Sequence, residues 1–198
     1  QGISLPSMEA QETLLRDVDK SAGVDPASVC YVEAHGTGTP AGDPIECAAL
    51  GRVLGRGSKR RGPCRIGSVK SNLGHLEPAS GAAGLAKALV CLAHRRVPAN
   101  LHFENPNPAI PFADLGLKVA NQDLDLPRRR EPLRIGINSF GFGGTNAHLI
   151  VEEYRKQKQR QATDGAPRVP LFISARSERA LGELGRAYRD LLQAPDAP

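Results

Sequence analysis

Several absences narrow the field before any motif is read. The four cysteines, Cys30, Cys47, Cys64 and Cys91, contain no CxxC pair. That spacing argues against a zinc site and a disulfide framework, and reduced cytosolic thiols are the plain reading. No charged-then-apolar leader opens the chain and no apolar run is long enough to span a bilayer. Nothing therefore points to secretion or a membrane, and a cytoplasmic location is expected. No glycine-rich stretch matches a dinucleotide or P-loop pattern, because GTGTPAG and GFGGTN have the wrong spacing and no Gly-Lys-Ser/Thr follows. No G-x-S-x-G nucleophile elbow occurs, and every cysteine falls inside a predicted regular element or just before a strand. No internal repeat is present either.

What is present suits a layered α/β protein of 198 residues, one domain or one plus part of another, with 21 Gly and 16 Pro marking many corners. The formal charge is +5, and much of the positive charge sits in three runs, Arg56 to Arg61, Arg128 to Arg130 and Arg155 to Arg160. These runs have no interleaved aromatics and read as solvated loops rather than as a nucleic-acid surface. A basic rim of this kind can also attract an acidic protein partner.

In chain order, Ser7 is the cap of a first helix carrying Leu14, Leu15 and Val18 and closed by Gly23 and Pro26. VCYVEA, residues 29–34, is a short strand that stops at His35 and a Gly/Thr loop. A second helix starts near Asp43, with Ile45, Ala48, Ala49 and Val53 or Leu54 facing inward. A strand at 65–69 leads through a corner bearing Lys70 and His75 into a helix opened by Pro78. That third helix has almost no polar face, with Lys87 nearly its only charge, so it should be buried all round. Alternating helices and strands predict a parallel sheet, and ligands collect outside the carboxyl ends of its strands. His35 and His75 each follow a strand end and should share one rim.

Beyond the third helix a proline-punctuated loop runs through residues 97–112, with short strands at 117–120 and near Leu124. Residues 133–140 and 147–153 are apolar runs around a glycine-rich turn, a hairpin signal. A polar linker follows from 154, then strand-like PLFISA and a helix marked by Leu181, Leu184, Tyr188, Leu191 and Leu192. The organisation expected is thus 1–153 as one unit and 154–198 as linker and the opening of an adapter.

The two histidines carry the chemistry. An imidazole at a helix N-terminus is biased toward its neutral, N–H-donating form. Two such donors aimed at one spot stabilise an oxyanion or enolate, each being worth roughly 3–4 kcal/mol in a dry site. The plainer alternative is that each histidine caps a loop, but two on one rim beside Lys70 favour a site. His94, His102 and His148 lack that context and read as structural. With no nucleophile in view, the set looks like half an active site.

VEAHGTGTPAGDPIE (32–46), IGSVKSNLGHLEPASGAAGL (66–85) and NSFGFGGTNAHLIVEE (138–153), with PANLHFENPNP (98–108) between the last two, together resemble the second half of the β-ketoacyl synthase of modular polyketide synthases. VPLFISARSERAL is similar to the connector leading from that ketosynthase to an acyltransferase. The resemblance implies the C-terminal half of a thiolase-like fold, five layers of α/β/α/β/α made from two similar halves. It implies decarboxylative Claisen condensation of an acyl-cysteine with a malonyl-type extender carried on the phosphopantetheine arm of acyl carrier protein. By the same resemblance His35 and His75 hold the thioester oxygen and enolate, and Lys70 supports them electrostatically. Phe142, with Gly143 beside it, matches the gate whose backbone N–H joins the acyl oxyanion hole, and Thr37 and Thr39 line the carrier arm's approach. No resident cofactor and no metal are implied. The implied partners are the N-terminal ketosynthase half with its cysteine, acyl carrier protein, an acyltransferase domain and a second copy in a homodimer. Nucleic acid and membrane are not among them. Such a chain is expected to be inactive alone. A non-catalytic partner protein or split-synthase module, and a thiolase-like non-decarboxylating acyltransferase, remain as alternatives.

Overall fold

The computed structural model describes residues 6–126, 130–141, 144–155 and 171–193. The chain divides into two compact units, Gln1–Arg155 and Lys156–Pro198. In the first, helix α1 spans Met8–Ala22, with the Ser7 hydroxyl accepting from Ala10 N–H and Gly23 closing the helix in the left-handed conformation. Its buried stripe is Gln11, Leu15 and Asp19. Strand β1 (Val29–Glu33) is followed by α2 (Gly42–Val53), β2 (Cys64–Gly67) and the short α3 (Lys70–Leu73). A 3₁₀ turn at Glu77–Ala79 carries Pro78 and runs into α4 (Ser80–His94). β3 (Arg96–Val97), α5 (Phe112–Leu115), β4 (Leu117–Val119), β5 (Leu124–Asp125), β6 (Arg134–Phe140) and β7 (Asn146–Glu152) complete the unit.

The main sheet has the order β4-β2-β1-β6-β7, parallel except for the β6–β7 hairpin, and β3 pairs separately with β5. A parallel pair needs a crossover between its strands, which is why the helices intervene. Side chains alternate across the sheet, so β1 feeds two cores. Val32 joins Leu15, Leu50, Leu54 and Ile66 in one. Tyr31 joins Ala88, Cys91, Ile135 and Ile137 in the other, against α4.

The structure of this chain departs from the sequence expectation at three places. The inward face of α2 is Glu46, Cys47, Ala49, Leu50 and Val53, while Ile45 and Ala48 are only half-buried. The stripe is shifted because a buried glutamate, counted as polar, belongs to it. Helix α4 is not covered all round: Ala82, Ala86, Leu89, Val90 and Ala93 are exposed, because the sheet of this unit meets only one of its faces. In the second unit, residues 171–175 form no strand, and Phe172 is 89% exposed. The helix expected there is α6, Glu178–Leu192, capped by the Ser177 hydroxyl.

Candidate functional site

β1 and β2 run parallel with Glu33 opposite Gly67, so their carboxyl ends deliver two corners to the same rim. His35 lies two residues past β1, and Lys70 begins the short helix after β2. The rings of His35 and His75 meet edge to face with centroids 5.6 Å apart, and Phe140 lies 5.7 Å from His35. The His35 corner needs Gly36 at φ +47°, where a Cβ would stand 2.9 Å from Ser68 Cβ. Only glycine lets the two corners approach this closely.

Each histidine has its tautomer set by the backbone. Phe140 N–H donates to His35 Nδ1 at 3.4 Å, and Glu77 N–H donates to His75 Nδ1 at 2.9 Å. Ser80 Oγ also lies 3.2 Å from His75 Nδ1. A backbone N–H can only donate, so in each neutral ring the hydrogen resides on Nε2. Burial first, then the Lys70 ammonium and His75, lower His35 from the ordinary histidine value to about 4. At neutral pH it is therefore an uncharged donor. Burial also lowers the Lys70 ammonium, against the pull of the Glu46, Glu33 and Asp43 carboxylates.

The loop after His35 is held from below. Glu46 is 4% exposed; its Oε1 accepts from His35 N–H at 2.8 Å and its Oε2 from Gly36 N–H at 2.9 Å. Asn138 Nδ2 donates to Glu46 Oε1 at 2.8 Å, and Asn138 Oδ1 lies 2.7 Å from His148 Nδ1. Burial raises the Glu46 carboxyl above its usual range, while these donors pull it back. Asp43 Oδ1 accepts from Gly38 N–H at 3.0 Å, and Thr39 Oγ1 from Gly42 N–H at 3.0 Å.

The structure thus brings His35, His75 and Lys70 to one rim. Thr37 and Thr39 stand on the adjoining lip, their hydroxyls 3.3 Å apart. Phe142 and Gly143 lie outside the described residues. Sequence reasoning does not single out Glu46 or Asn138, and His148, which reads there as structural without context, ends their buried chain. The available signal is an acid set in the apolar stripe of α2. A second buried cluster also escapes it. Glu33, Tyr31 and Lys87 meet beneath the rim, where alternation on β1 puts Tyr31 and Glu33 on one face and Lys87 is the sole lysine or arginine of α4. Burial pushes the Cys64 and Cys91 thiols up to about 11 and Cys47 further. Cys30 Sγ is engaged with the Arg134 carbonyl at 3.0 Å. A groove of about 630 Å³ beside β4, lined by residues such as Phe103, Phe112 and Leu117, contains none of the rim residues. Among the described residues, no cluster could hold a metal ion and no helix is long and apolar enough to cross a membrane.

Comparison with known proteins adds sequence and fold relatives. The family model of the beta-ketoacyl synthase C-terminal domain matches residues 1–104, and that of the ketoacyl-synthetase C-terminal extension matches residues 106–197. A phenolphthiocerol/phthiocerol polyketide synthase of Mycobacterium tuberculosis is 43% identical over 197 residues, 99% of this chain and 10% of that protein. The hybrid PKS-NRPS synthetase pyvA of Aspergillus violaceofuscus is 48% identical over 174 residues, 87% of this chain and 4% of that protein. The chain therefore spans a tenth or less of the length of these relatives. Among solved structures, ketosynthase twelve of the bacillaene polyketide synthase from Bacillus amyloliquefaciens superposes with a TM-score of 0.74 at 37% identity, covering 99% of this chain and 34% of that one.

Proposed function

The chain belongs to the β-ketoacyl synthases, as the C-terminal part of a polyketide-synthase ketosynthase with its C-terminal extension, and on that premise we propose that its rim holds the enolate of a decarboxylative condensation. The observation that carries this reading is the pair of backbone-set tautomers, which leaves two imidazole Nε2–H donors at one place. A malonyl-type thioester enters on the phosphopantetheine arm of acyl carrier protein, past Thr37 and Thr39. Its bond to the carboxylate breaks, carbon dioxide leaves, and the electron pair moves onto the thioester oxygen. His35 and His75 donate to that oxygen, and Lys70 adds positive potential beside it. The enolate carbon then attacks the acyl carbonyl held on a cysteine of the N-terminal ketosynthase half. The new C–C bond forms as the C–S bond breaks and the thiolate departs. The Phe142 N–H contributes to the oxyanion hole for that acyl carbonyl.

The chain by itself is inactive in this reading, because the nucleophilic cysteine is supplied by the N-terminal half. The exposed apolar side chains of Leu73, Leu76, Leu89 and Val90 support a further layer contributed by the N-terminal half. An acyltransferase domain and a second ketosynthase copy are the other proposed neighbours, and the assembly works in the cytoplasm.

The test uses the full ketosynthase. His35→Ala and His75→Ala should each slow malonyl-carrier decarboxylation by about 10²–10³-fold, the range for losing one preorganised donor. Wild-type decarboxylation in either variant would refute the reading. Equal use of acetyl and malonyl donors would instead favour a non-decarboxylating thiolase-type reaction.

A further inference from the structure

We propose that Glu33 is a positioning residue, the hub through which β1, the β2–α3 corner and α4 hold His35, Lys70 and His75 in one register; this rests on the enolate-holding reading above. Glu33 is the last residue of β1 and is 1% exposed. Its Oε2 accepts from Tyr31 Oη and from Lys87 Nζ, both at 2.8 Å, and Lys87 Nζ also donates to Tyr31 Oη at 2.9 Å. Its Oε1 accepts the backbone N–H of Val69. One carboxylate thus binds a side chain of its own strand, the backbone of the next corner and the side chain of the following helix.

Each of those elements delivers one group of the site. His35 is two residues beyond Glu33, Lys70 is the residue after Val69, and His75 stands just before the turn that starts α4. The sequence makes room for the hub. At Gly84 of α4 a Cβ would lie 3.3 Å from Glu33 Cγ, and at Gly67 of β2 it would lie 2.6 Å from Tyr31 Oη. Two glycines in regular elements weaken helix and strand alike, and here both clear space for this cluster.

Stability alone is a weak reason for the arrangement. A buried ion pair loses two hydration shells, and well-packed apolar replacements often fold as well or better. What apolar side chains cannot do is fix the Val69 amide in direction and distance. Misplacing a group at a reacting centre by about 1 Å can cost on the order of 10²-fold in rate.

The test compares two multiple variants of the full ketosynthase. Glu33→Gln with Lys87→Met removes both charges but keeps an amide oxygen for Val69 N–H and an amide donor for Tyr31. Tyr31→Phe with Glu33→Leu and Lys87→Met removes the charges and the clamp together. The clamp predicts that the apolar triple variant folds and loses about 30-fold or more in kcat for malonyl-carrier decarboxylation, with KM within about 3-fold, while the Gln/Met variant stays within about 5-fold of wild type. A folded triple variant with wild-type kcat overturns the proposal, and so does an equal loss in both variants. If the triple variant does not fold, Glu33→Asp makes the same comparison, because it keeps the charge near Lys87 and draws the carboxylate away from Val69. A loss of about 10-fold in kcat supports the clamp, and wild-type kcat overturns it. His75→Ala is run alongside. If it decarboxylates normally, the enolate-holding reading fails; if it is slow while the triple variant is unimpaired, only the clamp fails.

Discussion

Replacing Glu46 tests whether the His35 corner is built from its buried support upward. Glu46→Ala removes both oxygens that accept from His35 N–H, Gly36 N–H and Asn138 Nδ2. A buried donor left unpaired costs about 1–3 kcal/mol. His35 and Gly36 are half-buried, so water entering the vacated space can serve part of that need. Three full penalties therefore do not add, and the total should be about 3–4 kcal/mol. Cys47, the next residue of α2, is 7% exposed and provides the readout, because a thiol reagent reaches it only when the helix opens. At 1.36 kcal/mol per decade, Cys47 labelling should accelerate about 10²–10³-fold in Glu46→Ala. Glu46→Gln keeps one acceptor oxygen but turns an NH₂ group toward a donor. It should cost about 1–2 kcal/mol and accelerate labelling about 10-fold. Decarboxylation should fall in the same order, Ala below Gln below wild type. Labelling of Glu46→Ala within about 3-fold of wild type would refute the reasoning, since it would mean the three bonds carry no net stability.

Because His35 is depressed to about 4, decarboxylation should be level from pH 8 down to pH 5 as far as this group is concerned and fall as pH passes through 4; a half-maximum near 6.5 would contradict the buried neutral donor. The same depression means that stability contributed by His35 is complete above its unfolded value near 6.5 and lost as pH falls toward 4. Asp19 carries the opposite sign: burial raises it to about 6, so its contribution is present below 3.8 and lost as pH rises through 6. Asp19→Asn should accordingly raise the unfolding free energy measured by urea titration at pH 8, by about 1 kcal/mol after allowance for screening, and give no gain at pH 3.5; an equal effect at both pH values would refute it. Gly36→Ala must place an L side chain at φ +47° with its Cβ 2.9 Å from Ser68 Cβ. The left-handed backbone alone costs about 1–2 kcal/mol, and decarboxylation should drop more than about 10-fold as the two corners part. Wild-type activity in that variant would show that the corners tolerate separation.

Most of the element order is legible in the chain because it rests on local chemistry. Ser7 and Gly23 mark α1 by satisfying helix-end groups, and the spacing of Ile135 and Ile137 against Leu149 and Val151 marks the β6–β7 hairpin. Strand ends also disclose that His35 and His75 belong to one rim, since parallel strands open their carboxyl ends to the same side. The errors share one cause. Hydrophobicity alone puts Glu46 outside α2's buried stripe and assigns PLFISA a strand without a partner. Each depends on which surface another segment brings, and composition carries no record of that.

Sequence by itself therefore determined the family, the order of helices and strands, and which residues end the strands at the rim. Tertiary structure decided that Phe140 and Glu77 set the two imidazole tautomers, that Glu46 holds the loop after His35, and that Glu33 meets Val69 and Lys87. Those are contacts between segments as far as 105 residues apart. A buried carboxylate has a purpose only when its donors are known, and folding alone brings them within about 3 Å.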